Sequence, residues 1–172
     1  MKKHLRSDVA VYERKARSCS SCDTPGACCL DEHFVNVRIS RLEAVAISKV
    51  IERLPAIRRA AVEERVRNSA SQLAGICTAT FACPLYEKGT GCLVHDEAKP
   101  VPCIIHACYE RSQDLPPDEL QDAAELAIDR LNARVYGQTM PFEALPGAVQ
   151  AAILRTRRMK AITSPASNQP AT

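Results

Sequence analysis

Nine cysteines stand in two clumps, "CSSCDTPGACC" at 19–29 and "CTATFACPLYEKGTGCLVHDEAKPVPCIIHAC" at 77–108, with none between them. Gly, Pro and Asp fill the gaps within each clump, which is the chemistry of tight turns rather than of helical faces. A free cysteine is a small hydrophobe that suits a core, yet core residues recur at helical or strand spacing, and these do not. The chain must therefore bring two distant thiol-rich loops to some common purpose. A shared metal site would do so, cross-linking the chain across the helical segment between the clumps and coupling folding to metal.

The alternative use of so many cysteines is disulfide bonding. The N-terminus, "MKKHLRSDVAVYERKARS", is basic but lacks the apolar core of a signal peptide, and no run approaches the roughly 20 apolar residues of a membrane span. A cytoplasmic location and no membrane partner are expected. A reducing compartment disfavours persistent disulfides, and nine cysteines leave at least one thiol over. Metal is then the leading account. With 23 basic and 20 acidic residues, the formal charge of +3 is too small to imply nucleic acid or an anionic membrane by itself.

At 172 residues the chain suits one domain, and with seven aromatic residues, none of them Trp, its core must rest on Ala, Val, Ile and Leu. That usage favours helices. "SRLE" at Ser40–Glu43 is a capping box that predicts a helix start, with Leu42, Val45, Ala46, Val50 and Ile51 near helical spacing. Pro55 interrupts the pattern, and a second helix is expected over Ala56 to Leu73. Pro116 and Pro117 open a third helix that Gly137 closes, with an apolar stripe of Leu120, Ala123, Ala124, Ala127, Leu131 and Val135. A fourth covers Pro146 to Ile162 and ends basic. "DEHFVNVRI", 31–39, reads as a short strand or an extended link.

The expected class is mainly α: a small irregular cysteine-rich metal-binding domain with about four helices. The expected parts are a basic segment at 1–18, a cysteine-cluster metal-chelating domain at 19–110, a C-terminal helical pair packed on it at 111–162, and a disordered tail at 163–172.

Cys19 and Cys22 have a spacing that lets both thiolates face one ion from a tight turn. Cys28 and Cys29 follow at once, and Cys83, Cys92, Cys103 and Cys108 lie in the second clump. These eight are the expected metal ligands, enough for two four-thiolate zinc sites or an iron–sulfur cluster with spares. In extended backbone Cys28 and Cys29 would point to opposite sides and serve different ions. Cys92-x2-His95 and Cys103-x2-His106 are plausible metal-binding pairs by spacing. Cys77, just after a helix end, suits burial beside Phe81 as well as ligation, and His33 has no diagnostic spacing. Gly89, Gly91, Pro100 and Pro102 supply the bends and free amides that a chelating loop needs.

"CPLYEKGTGCLVHDEAKPVPC", preceded by Cys-x2-Cys and Cys-Cys, resembles the CxxCxxCC family of zinc- or iron-chelating proteins, the YkgJ-type cysteine-cluster family. The matching residues are Cys83-Pro84-Leu85, Cys92-Leu93-Val94-His95-Asp96 and Lys99-Pro100-Val101-Pro102-Cys103. The resemblance covers about 19–108 and implies metal chelation. The gap before Cys28 is longer than the family name describes, and His95 and Lys99 stand where the family usually has Tyr and Arg. The Tyr counterpart implies that His95 is not a ligand. Some members resemble enzymes that methylate protein lysines, but no glycine-rich cofactor loop is present here to support that.

Thiolate-rich sites suit zinc and iron–sulfur clusters alike, and spacing does not choose between them. Zinc implies a structural or metal-handling role, and iron–sulfur a redox or enzyme-accessory role. A nucleophilic cysteine with His106 as base leaves the other thiols unexplained, so no catalytic residue is assigned. Arg58, Arg59, Arg65, Arg67, Arg155, Arg157, Arg158 and Lys160 raise a nucleic-acid alternative, weakened by the interleaved Glu52, Glu63 and Glu64. The partition of ligands is testable: Cys83→Ser should lower metal content and the melting temperature, while Cys77→Ser should leave both nearly unchanged. Equal effects of the two would contradict it.

Overall fold

The computed structural model describes residues 1–17, 24–30, 37–73, 81–107 and 109–163. Cys19, Cys22, His33, Cys77, Cys108 and the tail beyond 163 lie outside the described residues, as does most of the expected extended segment at 31–39.

The described chain is mainly helical. Its helices are α1 (Lys2–Glu13), α2 (Arg41–Glu52), α3 (Ala56–Gln72), α4 (Val101–Ile105), α5 (Asp118–Tyr136) and α6 (Leu145–Thr163). Four short strands accompany them, β1 (Arg38–Ile39), β2 (Tyr86–Glu87), β3 (Gly91–Cys92) and β4 (Glu143–Ala144). β1 pairs antiparallel with β4, Arg38 opposite Ala144 and Ile39 opposite Glu143, which ties the start of α2 to the start of α6. β2 and β3 form a hairpin within the second cysteine clump.

The local signals for α2, α3, α5 and α6 correspond to observed helices. Ser40 and Glu43 form the reciprocal capping box, α3 begins directly after Pro55, and α5 runs from Pro117 to a left-handed Gly137 at φ 76°. α1 and α4 were not expected. α1 buries only Leu5 and Val9, one helical turn apart, a short apolar face within a segment whose charged residues made it read as a basic arm. α4 lies where Pro100 and Pro102 read as bends. Both instead occupy the opening of the helix, where proline is tolerated because the first amides have no helical partner.

The helices bury two apolar clusters. The larger joins α2, α3 and α6 through Ile47, Ile51, Val62, Val66, Val149 and Ala152, and takes in Leu85 and Val94 from the cysteine-rich segment. The smaller joins Leu5 and Val9 of α1 to Val101, Ile104 and Ile105 of α4 and Ala124 and Ile128 of α5. α5 and α6 therefore belong to different clusters rather than forming a pair with each other.

The stripe expected on α5 is rotated. Leu131 and Val135 are exposed, and the buried face is Ala124, Ile128 and Asn132. A polar residue holds that face because the Asn132 side-chain carbonyl accepts the Leu42 amide at the start of α2, 3.2 Å away. That amide has no partner within its own helix, so Asn132 satisfies an orphan donor.

The two clusters are stitched together at Glu43, a buried carboxylate on α2. One oxygen accepts the Ser40 amide and hydroxyl, each at 3.1 Å. The other accepts the Val101 amide of α4 at 3.0 Å and faces the Lys2 ammonium of α1 at 3.1 Å. Removing this carboxylate strands the Ser40 and Val101 amides at once and takes the ion pair from Lys2. Glu43→Ala should cost about 3 kcal/mol of stability, read from urea unfolding midpoints, and Lys2→Ala, at a partly exposed position, clearly less. Similar small losses from both would contradict the role of Glu43 as the joint.

Candidate metal centre

The second clump is built from two matched turns. In Cys83-Pro84-Leu85-Tyr86 the Tyr86 amide donates to the Cys83 carbonyl at 3.1 Å, and in Cys92-Leu93-Val94-His95 the His95 amide donates to the Cys92 carbonyl at 3.1 Å. In each turn the third residue, Leu85 or Val94, is buried in the larger core. The Leu93 amide donates to the Leu85 carbonyl at 2.9 Å, holding the turns side by side. Gly89 at φ 82° and Gly91 at φ 91° take the left-handed conformations that return the hairpin between them.

This turn geometry aims amides at sulfur. The amides of Leu85 and Tyr86 donate to the Cys83 thiol, and that of Val94 to the Cys92 thiol. Burial is the larger effect and pushes both thiols up, while these bonds work against it in favour of the thiolate, the form that binds metal. Pro84 presets the turn at its second position. α4 then presents Cys103, whose nearest charged neighbours include Cys83 and Cys92.

The first clump is docked onto these turns. The Cys83 amide donates to the Cys29 carbonyl at 2.6 Å, and the Tyr86 hydroxyl to the Pro25 carbonyl at 3.1 Å. Gly26, at φ 84°, lies against the Tyr86 ring, and a methyl group there would overlap it. Cys29 thereby comes within electrostatic range of Cys83 and Cys92. Cys29, Cys83, Cys92 and Cys103 form one neighbourhood, contributed by one residue of the first clump and three of the second.

Cys28 differs from the expectation of opposite-facing neighbours. Ala27–Cys29 is a turn of 3₁₀ helix, not extended backbone, so the Cys28 and Cys29 side chains stay close enough to hydrogen-bond. Cys28 also contacts the His106 side chain. Cys28 is pushed down chiefly by the hydrogen bond from Cys29 and then by His106, and Cys29 is pushed up by the same bond and then by burial.

The two histidines are separated by these contacts. His95 closes its turn as Tyr86 closes the other, and its carbonyl accepts from Arg6. Burial lowers the affinity of its ring for a proton, and the charges of Lys99 and Arg6 add to that. His106 follows Cys103 by three residues at the end of α4 and reaches Cys28. Sequence spacing was identical for the two and could not have told them apart.

Cys28, Cys29, Cys83, Cys92 and Cys103 are free, partly buried thiols, with backbone amides beside Cys83 and Cys92. Lys99 and Arg6 influence Cys92, and Arg65 influences Cys83. Positive charge of this kind offsets the roughly two negative charges left when four thiolates surround a divalent ion. Among the described residues no group of three or more His, Cys, Asp or Glu is gathered in a metal-holding arrangement. Cys19, Cys22, Cys77 and Cys108 are outside the described residues.

Several basic residues of the nucleic-acid alternative are engaged within the fold. Arg58 bonds Glu87 at 2.6 and 3.0 Å, and Arg65 bonds the same carboxylate at 2.9 Å. Arg157 pairs with Glu63 and Lys160 with Glu52. No helix of the described residues is long and apolar enough to cross a membrane. The chain matches no protein-family model, no curated protein and no solved structure.

Burial pushes the Cys83 thiol up to about 11 and the Cys103 thiol up to about 12, from 9.0 for an unperturbed thiol. The folded chain thus keeps protons that the unfolded chain releases above pH 9, and the unfolded state then binds fewer. Stability from these groups is full below pH 9 and falls as pH rises toward 12. The urea midpoint of the reduced, metal-free chain should decline between pH 9 and 11, and a flat midpoint over that range would contradict the burial of these thiols.

Proposed function

We propose that this protein binds a thiophilic metal, as zinc or as an iron–sulfur cluster, through its two cysteine-rich loops. The observation that carries the reading is the pair of matched turns that hold Cys83 and Cys92 side by side, with the first clump docked on them through the Cys83 amide and the Cys29 carbonyl. Core packing alone gives no reason to direct polar amides at partly buried sulfur. Thiolate chelation does, since hydrogen bonds to ligand sulfur stabilise its charge and orient it. Arg6, Lys99 and Arg65 supply the balancing charge.

The resemblance to the YkgJ-type cysteine-cluster family points the same way, with Cys19, Cys22, Cys28, Cys29, Cys83, Cys92, Cys103 and Cys108 as the ligand set. The metal would tie the clumps together more strongly than their few hydrogen bonds do, contributing to folding as structural sites do. A cytoplasmic setting agrees with this chemistry, because reduced thiols are the ones available to a metal. Zinc would make the protein structural or metal-handling, and a cluster would make it a redox or accessory protein.

Protein purified without oxygen should carry zinc or iron in amounts near one or two per chain, measured together with acid-labile sulfide and an absorption spectrum. Zinc without sulfide assigns the first role, and iron with matching sulfide and a visible charge-transfer band assigns the second. A chain that carries neither and takes up neither on reconstitution would overturn the reading.

A further inference from the structure

α5 carries two apolar faces and buries one of them. The inner face is Ala124, Ile128 and Asn132, packed on α1, α4 and the start of α2. The second is the stripe Leu120, Ala123, Ala127, Leu131 and Val135, which recurs every three or four residues and so runs the length of the helix. Leu120 and Ala127 are half-buried and Ala123 is exposed. Leu131 is 41% exposed, Val135 55%, and Leu126 at the edge of the stripe 50%. Single exposed apolar residues are ordinary, but a stripe in helical register along a 19-residue helix is the pattern of a helix-packing surface.

The charges of α5 favour one occupant. Acidic residues from Asp118 to Asp129 fill its first two-thirds, and Arg130 and Arg134 follow in its last turns. Among the described residues none of these forms an ion pair, whereas Arg58, Arg65, Arg157 and Lys160 on α3 and α6 all do. A second α5 running antiparallel sets acidic half against basic half at both ends, while a parallel one sets like charges together. We propose that α5 pairs antiparallel with α5 of a second copy of this chain, about a twofold axis at Ala127, the middle of the stripe. In that register Leu131 of one copy lies level with Ala123 of the other, large against small. Ala127 meets its own counterpart, which lets the helices approach closely. Glu119 and Arg134, one from each copy, come level at both ends, so every contact occurs twice. The helix spans about 28 Å. One helix from each side is a small interface, so the dimer is reversible, with a micromolar dissociation constant.

This inference is independent of the metal reading, because α5 lies outside both cysteine clumps. Sedimentation equilibrium of the reduced full-length chain, from low to high micromolar concentration, tests it. The wild type should show a monomer–dimer equilibrium, and Leu131→Glu should raise its dissociation constant about tenfold or more. Glu119→Arg and Arg134→Glu should each raise it about fivefold alone, and mixing the two variants, which restores opposite charges at both ends, should recover the wild-type affinity. All three positions are exposed, so far-UV circular dichroism should be unchanged. A wild type that stays monomeric would overturn the pairing, and its flotation with phosphatidylcholine–phosphatidylserine vesicles would give the stripe to a membrane surface instead. A dimer unmoved by Leu131→Glu, or a mixture no tighter than either charge variant alone, would overturn it as well.

Discussion

Among the described residues, the backbone hydrogen bond from the Cys83 amide to the Cys29 carbonyl at 2.6 Å ties the two cysteine clumps together. Everything proposed for the site depends on that docking. It is reinforced by the Tyr86 hydroxyl on Pro25 and by the close approach of Gly26 to the Tyr86 ring. A side chain at Gly26 would both clash and have to adopt a left-handed backbone, so glycine there is a requirement of the junction. A few polar contacts are modest against the entropy of ordering two loops. The proposed metal would add to that stabilisation.

The helices serve this junction by fixing the two turns from behind. Leu85 and Val94 anchor the turns in the α2, α3 and α6 core, while α4, which carries Cys103, packs on α1 and α5. Glu43 reaches across from the first group to the second, bonding the Val101 amide at the start of α4. The position of Cys103 relative to Cys83 and Cys92 is thus set by a buried carboxylate outside the cluster. α1 adds Arg6 and Lys2, which take the carbonyls of His95 and Lys99 and so fasten the loop between Cys92 and Cys103.

Much of this was legible in the sequence wherever the cause was local. The Ser40 and Glu43 capping box, Pro55, the Pro117 to Gly137 bracket and the residue types of the clumps all announced themselves. α1 did not, because its buried face is two residues, Leu5 and Val9, whose partners Val101 and Ile104 are far away in the sequence. The buried face of α5 was misplaced because Asn132 is inside for a hydrogen bond rather than for hydrophobicity. Within the site, Cys28 and Cys29 were read through an extended backbone that proves to be a turn, and His95 and His106 share one spacing with different surroundings. Tertiary contacts decided both.

The central claim is that sulfur from both clumps surrounds one metal centre. X-ray absorption at the metal edge of the loaded, reduced chain tests it most directly. The account predicts a first shell dominated by sulfur, at about 2.3 Å for zinc, whose sulfur count drops in both Cys29→Ser and Cys83→Ser. A first shell of oxygen and nitrogen, or a sulfur count untouched by either substitution, would contradict it.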